Sequence, residues 1–313
     1  MSEFIYNLYQ KFKIRLKWML EPAKRISLPG FEKMPVYDVM YFFVKGIMNG
    51  AITTRASSIA FNFFIAVIPA IIFIISLIPY IPVNNFQEEL INLTRDLLPS
   101  EAFEGVRETF EDLFTRKKPN LLSFGFILAL IFSTNGISAL IDAFNATSHS
   151  FKPRSAINKW LISVVLVFIF SVLIITATLL IIFSGMGRDY LINNNILESN
   201  FTLFIIQIGK WLIIIALLLI AISFLYFFAP ARKEKWKFLS PGSITATFFV
   251  IVTSLAFSYY VSNFGTYNKF YGSLGTVIIV LLWMYLNAIV LIIGFELNAS
   301  ISNVRQKKEI EKP

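Results

Sequence analysis

Three side chains able to carry chemistry stand in or beside long apolar runs: Arg55, Asp142 and Glu296. A guanidinium and a carboxylate make a strong hydrogen-bonded ion pair. The rest of the chemical inventory is thin. His149 is the one histidine, and there is no cysteine. Thiolate and histidine-rich metal sites therefore cannot be assembled. A carboxylate magnesium site needs acids clustered against water, and only Asp142 and Glu296 lie near the apolar core. No phosphate-cradling GxxxxGK and no GxSxG turn is present. A Ser–His pair would have to use His149, in the short basic stretch "ATSHSFKPRS". This inventory predicts no enzyme, no cofactor and no metal.

Uncharged polar residues are more telling, because they recur at helical spacing. Thr54, Ser58 and Asn62 follow one another at i+4, beside Thr53 and Ser57. Asn135, Ser138, Asp142 and Asn145 follow at i+3, i+4 and i+3. Each set falls on one helix face. Asn287, Gly294, Glu296 and Asn298 interrupt the last apolar run, after Gly272 and Gly275. Ser243, Thr247, Ser254, Ser258 and Ser262 give the run before it small surfaces for close packing.

The elements that position these residues follow from composition. Of 313 residues 56% are hydrophobic and 15% charged, where soluble domains carry about 25% charged residues. The expected class is an all-α, polytopic membrane protein. About 20 apolar residues cross the hydrocarbon as a helix. Six runs qualify: Ala56–Ile81, Leu121–Ala143, Trp160–Ser184, Leu203–Ala229, Pro241–Phe264 and Tyr271–Ala299. Lys and Arg divide 19 to 7 between the two sides, and this places both termini in the cytoplasm. The net charge of +9 is then largely topology. No nucleic-acid partner is expected, since the basic residues are scattered over four segments.

Three divisions result. Residues 1–45 form a basic N-terminal segment. Within it Ile5, Leu8, Phe12, Leu16 and Leu20 predict an amphipathic helix, on the membrane surface or docked on the protein itself. Residues 46–300 form the six-helix membrane domain. Its long outer loop, 82–120, holds two short acidic amphipathic helices, which either cap the bundle or bind a partner. Residues 301–313 form a cytoplasmic tail. Lys210, Trp211, Trp160 and Trp236 read as interface anchors. Pro69 removes a helix bond in the first span, as a hinge or as fixed shape.

Polar side chains in a span normally face the bundle interior or a watered cavity. The third and fourth spans are nearly plain hydrocarbon, so they are expected at the periphery. The first, second, fifth and sixth should form the core. Thr54, Ser58, Asn62, Asn135, Ser138, Asn145 and Asn287 would line a cavity there, or only bind helices together. Alternating helix direction sets Arg55, Asp142 and Glu296 at one depth, near the cytoplasmic ends of their spans. Arg55 should therefore pair with Asp142, Glu296 or both, as a structural staple or as part of a gate or substrate site.

The C-terminal third, "WKFLSPGSITATFFVIVTSLAFSYYVSNFGTYNKFYGSLGTVIIVLLWMYLNAIVLIIGFELNA", resembles the YihY/virulence factor BrkB family. The marks are Pro241-Gly242, Phe257, Tyr260, Tyr267, Tyr271-Gly272-Ser273, Trp283 and the closing Gly294–Glu296–Asn298. Ala60, Phe61 and Pro69 of the first span are also similar. The resemblance covers most of residues 40–300. It implies a six-helix inner-membrane protein, singles out Arg55, Glu296 and Asn298, and carries over no catalytic residues. Some members have borne a ribonuclease label, which so poor a nuclease inventory contradicts. Two functions are open at this point. One is a transporter or flippase-like protein for a lipid or another small envelope molecule, with membrane lipids as partners and homo-oligomers allowed. The other is a scaffold or assembly factor that moves nothing. "ALIDAFNATS" and "LIIGFELNAS" hint at a parallel repeat of the first and last hairpins.

Overall fold

The computed structural model describes residues 26–28, 30–31, 34–49, 51–80, 112, 116–146, 155–193, 200–231, 238–263 and 273–310. The expected N-terminal amphipathic helix, the two outer-loop helices and the His149 stretch lie outside the described residues, apart from Asp112. Seven α-helices are present among them: α1 (Val36–Asn49), α2 (Ile52–Leu77), α3 (Pro119–Asn145), α4 (Ala156–Asn193), α5 (Asn200–Phe228), α6 (Pro241–Asn263) and α7 (Ser273–Ile310). A 3-10 turn, Ile78–Tyr80, prolongs α2. No strand occurs among the described residues.

Helices are what a membrane demands, since every backbone donor and acceptor must be satisfied inside its own segment. All but α1 are long and apolar enough to cross, six spans in all. Local signals set their starts. Pro119 opens α3, where its missing N–H costs nothing. Before α3, Asp112 pairs with Lys118 and Arg116. The hydrogen bond from Lys118 holds the exposed Asp112 carboxyl below its usual range. Pro241 opens α6, and a reciprocal cap precedes it. The Ser243 backbone N–H donates to Ser240 Oγ, and the Ser240 N–H donates to Ser243 Oγ, both at 3.1 Å. Ala51, between α1 and α2, sits in the left-handed region at φ 44°. That conformation turns the chain between the two helices.

Each spanning helix packs on its neighbour in sequence, and α7 closes the ring on α2. The α2–α3 pairing is the most extensive. Burial is concentrated at one end, where α2, α4 and α6 begin. Ile52, Ala56 and Ile59 meet Ile137, Leu140, Ile141 and Phe144 there, together with Ile222, Leu225, Ala246, Ile292 and Phe295. At the other end Ile74, Phe124, Phe183, Phe204, Leu255 and Leu282 are exposed at the protein surface. Such apolar surface suits lipid. Close contacts persist there between α2 and α3, where a Cβ on Gly125 would meet the Phe73 backbone at 3.2 Å, and between α6 and α7, where Trp283 Nε1 donates to Ser254 Oγ at 3.3 Å.

One expectation is corrected. The fourth span is not peripheral along its whole length. The end of α5 inserts Ile222, Ser223, Leu225 and Tyr226 into the core. Plain hydrocarbon suits a packed core as well as it suits lipid, so composition alone could not separate the two. The last helix continues beyond the expected span, to Ile310. No Gly or Pro interrupts it there, and Ile301 and Val304 pack against Phe31 and Val39 at α1.

Candidate functional site

Arg55 stands in the first turn of α2 and points across the bundle. Its Nη1 donates to the Ala143 carbonyl at 2.7 Å, and its Nη2 donates to Glu296 Oε1 at 3.2 Å. Ala143 lies in the last turn of α3, where carbonyls lack helical donors. The guanidinium therefore caps α3 and also sits at the negative end of its dipole. Glu296 is fully buried and Arg55 nearly so, at 0% and 9% exposure. Arg55 Nε and Glu296 Oε2 have no hydrogen-bond partner among the described residues. The structure thus joins Arg55 to Glu296.

It does not join Asp142 to them. Asp142 turns outward, 61% exposed, and accepts from Lys159 Nζ at 2.8 and 2.9 Å. The reason is helical phase. Asp142 follows Ser138 by one turn, and Ser138 Oγ lies 2.9 Å from Ser163 Oγ on α4. The two contacts form consecutive rungs between antiparallel helices, since Lys159 precedes Ser163 by one turn. Equal depth put the three ionisable groups level, but the face of α3 decided the partner.

Beside Glu296 the bundle is closed by aromatic rings. Phe144 stacks on Phe295 with centroids 4.4 Å apart, and Tyr226 meets both edge-on at 5.5 and 5.7 Å. The Tyr226 hydroxyl donates to the Leu291 carbonyl at 2.6 Å. Asn298 Oδ1 accepts from the Gly242 N–H at 2.8 Å, and its Nδ2 donates to Ser240 Oγ at 2.7 Å. Asn298 thus clamps the start of α6 to α7. Asn145 Oδ1 accepts from the Ala231 N–H at 3.0 Å, tying the end of α3 to the end of α5. Asn287 donates to the Trp283 carbonyl of its own helix. Neither Asn145 nor Asn287 lines the groove formed by the other polar residues. Pro69 is buried inside α2, in an unbroken helix.

Thr54, Ser58, Asn62, Asn135 and Ser138 do come together. With Arg55, Ala139, Asp142, Ala143 and Ala146 they line a groove of about 450 Å³. It is not the expected interior between four spans, because only α2 and α3 contribute to it. On each helix these residues lie on a different flank from the buried set, Ile52, Ala56 and Ile59 or Ile137, Leu140 and Phe144. Thr54, Ser58 and Asn135 are exposed. The groove is a seam on the outside of the bundle, with Arg55 at its floor and Asp142 at its rim. Asn62 donates to the Ser58 carbonyl at 2.8 Å. The side chains of Thr54 and Asn135 make no hydrogen bond among the described residues, nor does Ser58 Oγ.

Sequence reasoning missed Lys159, Ser163, Ser240 and the aromatic triad. Lys159 and Ser163 carried a signal: their four-residue spacing matches Ser138 and Asp142 across an antiparallel hairpin. A smaller cavity of about 290 Å³ lies between α1 and the end of α7, lined by Tyr37, Asp38, Tyr41, Phe42, Val304, Lys307 and Lys308. Among the described residues no group of three His, Cys, Asp or Glu could hold a metal.

Gly242 and Gly294 belong with the closing motif, and their backbones touch. A Cβ on Gly242 would lie 2.1 Å from the Gly294 carbonyl oxygen. The residues with the strongest resemblance therefore form one contact, Gly242–Gly294–Asn298, beside Glu296. Over the whole chain, the family described as "Virulence factor BrkB" matches residues 43–313. The chain belongs to the BrkB virulence-factor family. It is 31% identical to the ribonuclease-like protein YfkH of Bacillus subtilis over 262 residues, 83% of this chain and 93% of that one. It is 25% identical to a UPF0761 membrane protein of Chlorobium limicola over 85% of this chain, spanning 58% of that longer relative. A UPF0761 membrane protein of Pseudoalteromonas translucida is 36% identical over 89 residues, 28% of this chain and 30% of that one. No solved structure is significantly similar. This BrkB-family chain is accordingly a multi-pass membrane protein.

Proposed function

We propose that this BrkB-family protein translocates an amphipathic molecule of the cell envelope, admitting its polar head sideways into the α2–α3 groove while its apolar tails stay in the bilayer. One observation carries the reading. Thr54, Ser58 and Asn135 present unpartnered polar atoms to an open groove on membrane-spanning helices. Bare polar groups facing hydrocarbon are costly, so a polar occupant would relieve them. On this reading the protein sits in the plasma membrane with both termini cytoplasmic, binds membrane lipids and catalyses no covalent reaction. Asp142 and Lys159 would then mark the cytoplasmic rim where a head enters.

The extent of the groove favours a second reading. From Thr54 to Asn62 it runs about 12 Å at 1.5 Å per residue, against a hydrocarbon thickness of about 30 Å. A protein that holds a lipid without moving it, as an assembly scaffold, would need no more. Proteoliposomes separate the two. Translocation predicts that the purified protein speeds transbilayer exchange of a fluorescent lipid and that Asn135→Leu abolishes the acceleration. Exchange no faster than in empty liposomes, for every lipid class tried, would leave the scaffold.

A further inference from the structure

The groove is polar but carries no free charge. Arg55 at its floor is neutralised by Glu296 at 3.2 Å, and Asp142 at its rim by Lys159 at 2.8 Å. The remaining donors and acceptors are hydroxyls and carboxamides: Thr54, Ser58, Asn62, Asn135 and Ser138. A phosphate entering here would lose its hydration and find no uncommitted cation. Hydroxyl groups would find what they need, because hydroxyl and amide side chains each both donate and accept.

The state of these side chains points the same way. On α4 the hydroxyls are turned back on their own helix: Ser171 donates to the Val167 carbonyl, Thr176 to Val172 and Thr178 to Ile174. Such back-bonding hides a hydroxyl from lipid. In the groove neither Thr54 nor Ser58 is engaged in this way, and Asn135 has its whole carboxamide unused among the described residues. Asn135 also lies two turns in from the rim at Asp142, about 10 Å along α3 at 1.5 Å per residue.

Building on the proposed translocation, we infer that the molecule taken up is a neutral glycolipid, whose uncharged, hydroxyl-rich head sits between Ser58 and Asn135 with its acyl chains against the outer faces of α2 and α3. The exposed Phe61 and Ile131 supply apolar surface beside that position.

The test uses the full chain in nanodiscs holding equal parts of monoglucosyl-diacylglycerol, phosphatidylethanolamine and phosphatidylglycerol. Lipid retained after release into mild detergent is read by native mass spectrometry. The glycolipid should be enriched about tenfold over phosphatidylglycerol, a step of one decade in affinity. Asn135→Leu should erase the enrichment, and Phe183→Leu, at an exposed position on α4 away from the groove, should leave it. The paired changes Thr54→Val and Ser58→Ala nearly keep side-chain volume and serve where Asn135→Leu does not fold. If phosphatidylglycerol or phosphatidylethanolamine is retained as well as the glycolipid, and Asn135→Leu releases it, the glycolipid assignment fails while the groove keeps its lipid. If no retained lipid depends on the groove residues, both readings fail. A dimer that Asn135→Leu splits would make the groove a seam between two copies and would also overturn both. Displacement by millimolar methyl glucoside would move the site from lipid to soluble sugar.

Discussion

Arg55 and Glu296 show how much rests on one pair of side chains. Glu296 is shut off from solvent, and among the described residues Arg55 is its one hydrogen-bonded cation. Breaking such a pair costs about 3–5 kcal/mol, because the survivor is left charged and buried. Glu296→Leu alone should therefore lower the unfolding temperature in detergent sharply. Arg55→Met with Glu296→Leu should recover much of that loss, since no lone charge remains. Two equal and additive losses would sink the pairing account. Asp142→Asn should behave differently. Its pair with Lys159 is exposed, and exposed pairs are worth about 0–1 kcal/mol. The same thermal assay should hardly register it. At this scale the sequence was legible in part. Spacing and alternating direction set Arg55 level with Glu296. They could not choose between Asp142 and Glu296, because the rotation of α3 about its axis is fixed by its neighbours: Gly125 and Gly136 meet Phe73 and Phe63 of α2, and Ser138 meets Ser163 of α4.

Between elements, the decisive contacts are close approaches of backbone. Gly242 and Gly294 let α6 and α7 touch, and Asn298 fastens the start of α6 there. Gly242→Ala has no room, with a carbonyl oxygen 2.1 Å from the new carbon, and should cost as much as an overpacked core, about 1–3 kcal/mol. Asn298→Ala strands the Gly242 N–H and leaves Ser240 Oγ held by Ser243 alone. Hydrogen exchange should then rise at residues 240–243 well before it rises in α2 or α3, and uniform protection across α6 would contradict the clamp. Helix existence was readable from hydropathy, and Pro241 marked one start. The run of α7 to Ile310 was not readable as a membrane feature, because hydropathy ends where the helix does not. What sustains it is α1, whose Val39 meets Ile301 and Val304. The burial of α5 was hidden for a related reason: Leu and Ile answer equally to lipid and to protein.

The molecule as a whole is a ring of six spans gathered tightly at one end, with its polar groove on the outside. That arrangement is open to a direct check, since the chain has no cysteine of its own. A single cysteine at Asn135 should react with a membrane-permeant maleimide when the protein is in membranes. One at Leu140, 2% exposed, should stay silent until unfolding. The reverse pattern would put Asn135 inside the ring and Leu140 on its outer face. The packing of consecutive spans was foreseeable, since elements adjacent in sequence are usually adjacent in space. That the polar face looks outward was not, because the general expectation for membrane proteins points such residues inward. The stack of Phe144, Tyr226 and Phe295 has one more consequence, for the energetics of the cell. A pump or carrier that opened a wet channel wide enough for a sugar-bearing head would short-circuit the ion gradients held across the same membrane. On the proposed reading, the three interlocked rings would act as electrical insulation, letting bulky cargo travel along the perimeter while the membrane voltage is left standing.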